Sequence, residues 1–168
     1  MRHIYVLRHA QKDNRSKESD RDVPLTAHGK EQAKNLGVFL KTQTIQPTVI
    51  LCSDALRTRE TAEHLLQGWE REQDVIFSHE LYYTTAGGIL TTVQKLDDHV
   101  QSVLLVGHNP GIHQFVMLMS DFKDVATLQK LKIEFPPGAF VGMALAIDNW
   151  GDAAPGQGLI EHCVYPLK

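Results

Sequence analysis

Cysteine is scarce in this sequence: Cys52 and Cys163 are the only two in 168 residues. Both lie in apolar runs that are typical of strands, and no CxxC pair is present. A disulfide framework or a cysteine-based metal site is therefore not expected. We interpret both cysteines as reduced thiols of the core, which predicts a cytoplasmic protein.

Long apolar runs and an excess of positive charge are also missing. No run approaches the length needed to cross a membrane, and residues 1–9 lack the apolar region of a secretory signal. The formal net charge is −3, so bulk electrostatics do not favour binding to nucleic acid. We expect neither a membrane nor a nucleic acid as a partner.

Metal-binding patterns are absent although histidine is abundant. The chain has nine histidines, but none forms an HExxH motif, and His108 and His113 are spaced so that one helix face cannot hold both. We therefore expect no bound metal and no other cofactor.

The order of apolar patterns predicts one α/β domain over residues 1–168. Strands are predicted at 4–7, 48–52, 75–77, 102–106, 141–147 and 159–164, and helices at about 27–42, 53–69, 87–99, 112–119 and 121–131. Thr26 and Ser53 are the expected caps of the first two helices. Because strands alternate with helices over most of the chain, the sheet should be largely parallel and covered on both faces, with a final antiparallel pair.

Three of the predicted strands lead into residues that could bind an anion. The first ends at Arg8 and His9, the second leads through Ser53 to Arg57, and the fourth leads to His108 and Asn109. Ligands of open α/β sheets bind beyond the carboxyl ends of the strands. If these strands are neighbours, two arginines and two histidines surround one pocket. Arginine suits phosphate oxygens, and a neutral histidine can serve as a nucleophile.

The segment 11–24 is polar and has no apolar periodicity, so we predict a loop directly after the first strand. Such a loop either covers the site and helps to select the substrate, or is a solvated excursion.

Four segments, in the same order and at the same spacing, resemble the signatures of the histidine phosphatase superfamily. They are Leu7-Arg8-His9-Ala10, Pro24-Leu25-Thr26-x-x-Gly29-x-x-Gln32-Ala33, Ser53-x-x-x-Arg57-x-x-x-Thr61-Ala62 and Gly107-His108-Asn109-Pro110. The short chain and the form of the first and last signatures are most similar to phosphohistidine phosphatases of the SixA type. The resemblance implies the phosphoglycerate-mutase-like fold, a three-layer α/β sandwich with a mostly parallel, mixed central sheet.

The resemblance also implies roles for individual residues. His9 would be the nucleophile, and the phosphoryl group would be bound by Arg8, Arg57, His108 and Asn109. Many SixA-type chains carry arginine directly before the PLT segment, where this chain has Val23. Arg21 is the expected substitute in binding the substrate.

Two further residues are judged by their positions. Glu80 lies where superfamily members often carry the general acid, although a surface position beside an edge strand explains it equally well. Arg59, two positions after Arg57, should face away from the site on the same helix.

The expected function is a phosphatase that removes a phosphoryl group from a protein histidine through a covalent phospho-His9, without metal. One alternative is a phosphomonoesterase for small molecules on the same scaffold, and another is an anion-binding domain without catalysis. Only residues 11–24, 82–88 and 148–158 remain to build walls around the site. A site with low walls suits a protein surface better than a small metabolite, which is usually enclosed.

Overall fold

The computed structural model describes residues 1–167, which form one six-stranded sheet with helices on both faces. The strands are β1 (Arg2–Arg8), β2 (Val49–Ser53), β3 (Val75–Ser78), β4 (Ser102–Gly107), β5 (Phe140–Leu145) and β6 (Gly158–Val164). The helices are α1 (Ala27–Thr42), α2 (Leu56–Trp69), α3 (Ala86–Gln94), α4 (Gly111–Met119) and α5 (Val125–Ile133).

The strand order is β3-β2-β4-β1-β5-β6. The first four strands in this order are parallel to one another, whereas β5 is antiparallel to both β1 and β6. The prediction of a mostly parallel, mixed sheet with an antiparallel pair at its end is therefore confirmed.

Alternation along the strands divides the core into two halves. In β1, Ile4 and Val6 face the cluster formed with α3, α4 and α5, whereas Tyr5 and Leu7 face the cluster formed with α1 and α2. Because successive side chains of a strand point to opposite faces, a strand buried on both faces needs apolar residues throughout. The fold is thus a three-layer α/β sandwich. No helix within residues 1–167 is long and apolar enough to cross a membrane.

Of the two predicted helix caps, one is confirmed and one is wrong. Thr26 caps α1 as expected, because its hydroxyl accepts from the Gly29 N–H at 3.0 Å. Ser53 does not cap α2: it remains in β2, and the extended residue Ala55 precedes the helix, which begins at Leu56. This leaves the Ser53 hydroxyl available to the site.

Two other helices also have shifted boundaries. The helix α3 ends at Gln94 and not near His99. Beyond its end, Asp97 Oδ1 accepts from the His99 N–H at 3.1 Å. Such a local hydrogen bond competes with those of a helix. The helix predicted at 121–131 lies at Val125–Ile133, where Asp124 caps it by accepting from the Thr127 N–H.

The cysteines have different surroundings. Cys52 is fully buried in β2, as predicted, but Cys163 is only partly buried. The prediction that both are core thiols is therefore wrong for Cys163, because β6 is an edge strand with one neighbour in the sheet.

Candidate active site

The three strands that carry the predicted site residues are neighbours in the sheet. β4 lies between β1 and β2, and Arg8 is in register with Gly107 of β4. Since these strands are parallel, their carboxyl ends meet at one edge. This edge brings together Arg8, His9 and His108, which the sequence predicts, and Ser53, which the sequence analysis assigns to a helix cap.

His9 is held on both its backbone and its ring. Its N–H donates to the Gly107 carbonyl at 3.1 Å, and its carbonyl accepts from the Gly138 N–H at 2.9 Å. Ring Nδ1 lies 2.7 Å from the Ala10 carbonyl oxygen. A carbonyl only accepts, so Nδ1 carries the hydrogen and Nε2 keeps its lone pair. The buried ring therefore presents a nucleophilic nitrogen.

His108 lies beside His9, with 5.5 Å between the ring centroids. Its Nε2 is 2.7 Å from the Ser53 hydroxyl oxygen, which holds the ring in place from β2. This contact explains why Ser53 stays in the strand and does not cap the following helix.

The two arginines are anchored by different parts of the chain. The Phe135 carbonyl accepts from Arg8 Nη1 at 3.0 Å and from Asn109 Nδ2 at 2.9 Å. Arg57, only 2% exposed in the first turn of α2, donates from Nη1 to the Asp20 carbonyl at 2.6 Å and from Nη2 to Asp20 Oδ2 at 3.2 Å. Both guanidinium groups are thus fixed before any ligand arrives.

Three buried nitrogens of these side chains have no hydrogen-bond partner among residues 1–167. They are Arg8 Nε, Arg57 Nε and His108 Nδ1. Leaving a buried donor unpaired costs about 1–3 kcal/mol, so such a cluster suits a bound anion that supplies acceptor oxygens. The predicted set Arg8, Arg57 and His108 is therefore together and has capacity left for a phosphoryl group.

Burial and positive charge lower the histidine pKa values. The pKa of His9 falls to about 3, chiefly because burial disfavours the charged ring, with further contributions from the charges of Arg8, His108 and Arg57. The pKa of His108 falls to about 4, again through burial first and the charge of Arg57 second. Burial and the neighbouring Arg57 also lower the pKa of Arg8.

We predict that His9 stays neutral well below the usual histidine range. A group with a lowered pKa gains its proton only when the pH falls towards the new value, here about 3. Nitrogen-15 NMR of labelled imidazoles should show His9 unprotonated from pH 7 down to pH 5. A His9 midpoint in the ordinary range of histidine, about 6.5, would contradict this electrostatic description.

The structure adds three individual residues that the sequence analysis did not single out, namely Asp20, Tyr82 and Tyr83. Asp20, from the loop after β1, contacts Arg57 and also accepts from the hydroxyls of Tyr82 and Tyr83, each at 2.5 Å. The loop therefore lies against the site and is not only a solvated excursion, whereas its part in selecting the substrate stays a prediction. Nothing in its polar sequence distinguishes Asp20 from its charged neighbours.

The remaining candidates lie outside this cluster. Arg21 pairs with Asp54, half exposed, and Glu80 is exposed and makes no hydrogen bond or ion pair within the described part of the chain. Their roles in binding and acid catalysis stay predictions. Arg59 donates to the Asp54 carbonyl and covers the Phe77 ring at 4.1 Å, so it faces away from the site as expected.

No group of three histidine, cysteine, aspartate or glutamate side chains in residues 1–167 is arranged to hold a metal ion. The charge at the site comes instead from Arg8 and Arg57, with hydrogen-bond donors from the histidines.

Comparison with known proteins agrees with this geometry. Residues 4–87 match the model of the Histidine phosphatase superfamily (branch 1). The uncharacterized protein Rv1276c of Mycobacterium tuberculosis is 25% identical over 152 residues, which cover 89% of this chain and 93% of the relative.

Two solved structures share the fold over almost their whole length. A candidate phosphohistidine phosphatase SixA from Nakamurella multipartitia superposes with a TM-score of 0.85 at 25% identity, covering 99% of this chain and 97% of the other. The protein histidine phosphatase SixA complexed with tungstate gives a TM-score of 0.76 at 20% identity, with coverages of 98% and 97%.

Proposed function

Because this chain belongs to the histidine phosphatase superfamily and is a phosphatase, we propose that it removes the phosphoryl group from a phosphorylated histidine of another protein. The observation that carries the proposal is the arrangement of His9, whose Nε2 lone pair is free beside two fixed arginines. Solved structures described as SixA phosphohistidine phosphatases share the fold and support the choice of substrate.

The reaction has two steps, both centred on His9. Nε2 attacks phosphorus and the bond to the leaving group breaks, so that the phosphoryl group is carried on the enzyme. The Nδ1–H of His9 stays hydrogen-bonded to the Ala10 carbonyl oxygen. In the second step the His9 ring can therefore be displaced from phosphorus as a neutral imidazole. Water then attacks phosphorus, and the N–P electron pair returns to Nε2.

The arginines and His108 act on the oxygens of the phosphoryl group. Negative charge on these oxygens is shared among donors that are already oriented, since Arg8 is held by Phe135 and Arg57 by Asp20. Donors fixed in advance stabilise the transition state without reorganising during the reaction. No metal ion takes part in this scheme.

Access to the site supports a protein substrate. The 148–158 segment lies at the opposite end of the sheet, since the Asp148 carbonyl accepts from Arg2 Nε at 3.0 Å at the start of β1. It therefore builds no wall around His9. The remaining walls come from residues 11–24, from the segment 135–138, which contacts Arg8 and His9, and from Tyr82 and Tyr83, of which Tyr83 is 63% exposed. A phosphohistidine on a protein surface can reach such a site.

The test compares kcat/KM on a phosphohistidine-bearing phosphotransfer domain with kcat/KM on a panel of phosphorylated metabolites, each measured with and without EDTA. We expect the phosphohistidine protein to be the better substrate and EDTA to have no effect. A metabolite preferred by a wide margin would establish the small-molecule alternative. Binding of phosphate without any turnover would establish the anion-binding alternative.

A further inference from the structure

Asp20 places a carboxylate at the mouth of the site. Its side chain is 41% exposed, whereas Arg57 is 2% exposed and His9 only 4%. The buried His9 and Arg57 therefore form the floor of the site, and Asp20 lies on the exposed side, from which a substrate arrives. The leaving group of a phosphoryl transfer lies on that outer side, because it departs opposite the attacking nitrogen.

The two oxygens of the Asp20 carboxylate have different surroundings. Oδ2 accepts from the hydroxyls of Tyr82 and Tyr83 at 2.5 Å each and from Arg57 Nη2 at 3.2 Å. Oδ1 accepts no hydrogen bond from the described residues and is paired only with Lys12 Nζ at 3.9 Å. The carboxylate is thus oriented through one oxygen and has the other available for a donor on the substrate.

The same two tyrosines supply aromatic rings beside the phosphoryl donors. The ring centroids of Tyr82 and Tyr83 lie 5.4 and 5.9 Å from that of His108, and 4.4 Å from each other. Aromatic faces attract a planar ring, and more strongly a planar cation. The mouth therefore suits a leaving group that is a flat, positively charged ring.

Phosphohistidine has such a leaving group when its second ring nitrogen is protonated. Without that proton the ring must leave as imidazolate, a far stronger base than neutral imidazole. An acceptor for the N–H of the second nitrogen favours the protonated, reactive form. A phosphate ester has no corresponding N–H.

Building on the proposed function, we propose that Asp20 Oδ1 accepts this N–H and thereby selects phosphohistidine over phosphate esters. The His9 Nε2 lone pair forms the new N–P bond. The substrate N–P bond breaks and its electron pair goes to the substrate nitrogen. The ring departs as neutral imidazole with its proton still on the second nitrogen, so Asp20 stays ionised throughout.

The Asp20 carboxyl is ionised at neutral pH. Hydrogen bonds from Tyr82 and Tyr83, together with the charge of Arg57, hold the pKa of this carboxyl well below its usual range. The other groups that face it are Lys12 and His108. The group that titrates near neutral pH is therefore the ring of the substrate, whose pKa the carboxylate raises.

The experiment compares Asp20→Asn with a matched control, Asp22→Asn. Asp22 lies in the same short helix, is exposed, and accepts from the Ser19 hydroxyl at 2.9 Å. Each variant is assayed on a phosphohistidine-bearing protein and on p-nitrophenyl phosphate, whose leaving group is a stable anion. We expect Asp20→Asn to lower kcat/KM for phosphohistidine about 10- to 100-fold more than it lowers kcat/KM for p-nitrophenyl phosphate. Asp22→Asn should change neither.

The pH dependence of kcat distinguishes the proposed role of Asp20 from a purely structural one. In Asp20→Asn the basic limb of kcat should shift to lower pH for phosphohistidine, because the bound ring loses its acceptor, while the profile for p-nitrophenyl phosphate keeps its shape. The ratio of kcat/KM values on the two substrates is independent of how much of the variant is folded.

Three outcomes would overturn the inference. An equal loss on both substrates would make Asp20 a structural residue, and an equal gain would show that it blocks Arg57. A wild-type protein that hydrolyses p-nitrophenyl phosphate but no phosphohistidine would overturn the proposed function and this inference with it. The first two results leave the proposed function standing.

Discussion

Replacing His9 with alanine is expected to abolish turnover, with a loss on the order of 10⁴ or more in kcat. The two imidazoles have different roles in the proposed mechanism. His108 Nε2 contacts the Ser53 hydroxyl and its Nδ1 donates to the phosphoryl group, whereas His9 Nε2 has a free lone pair because Nδ1 carries the hydrogen. Substrate binding should largely survive, since Arg8 and Arg57 are anchored by other residues. Steady-state kinetics and equilibrium binding measure the two effects separately.

The covalent intermediate provides the direct check. Phosphohistidine is labile in acid, so the reaction is stopped with alkali and the protein is digested and analysed by mass spectrometry. The phosphoryl group should be on His9. The exposed His79, replaced by alanine, is the control that should retain both the adduct and the activity. A phosphoryl group found on any other residue would contradict the mechanism.

Arg57→Ala is expected to lower the rate by about 10²–10³, the usual loss when a preorganised donor to a developing anion is removed. Arg8→Ala should cost a similar factor. In Arg57→Ala the loop after β1 also loses its anchor, because Arg57 binds both the carbonyl and the carboxylate of Asp20. The variant should therefore show a change in KM as well as in kcat.

The matched control for this substitution is Arg59→Ala on the same helix. Arg59 contacts the Asp54 carbonyl and the Phe77 ring and is directed away from the pocket. Its replacement should change kcat/KM less than about threefold, and any effect should be on thermal stability. If Arg59→Ala were the more damaging variant, the phosphate site would have been assigned to the wrong face of α2.

The central part of the site could be predicted from the sequence because it depends on topology. Arg8, His9 and His108 follow strands that are parallel and adjacent, and parallel strands end at one edge of the sheet. Apolar runs of this kind are readable without a structure. Arg57 follows from the same argument, since it lies in the first turn of the helix after β2.

The outer part of the site could not be predicted in the same way. Asp20 reaches the site because its loop is held by Arg57, Tyr82 and Tyr83, which are 37 to 63 residues away in the sequence. Contacts of this range follow no periodicity. The hydroxyl of Ser53 was assigned to the wrong partner for the same reason: a local helix cap was expected, and a histidine 55 residues away binds it.

The position of β1 has a consequence for how the protein is made. β1 is synthesised before the other five strands, yet its two neighbours are β4, which begins at Ser102, and β5, which begins at Phe140. The strand that bears the nucleophile therefore has no pairing partner until most of the chain has been synthesised. The edges of β1 stay unpaired until both partners have been synthesised, so the folding of this strand depends on contacts that are distant in the sequence.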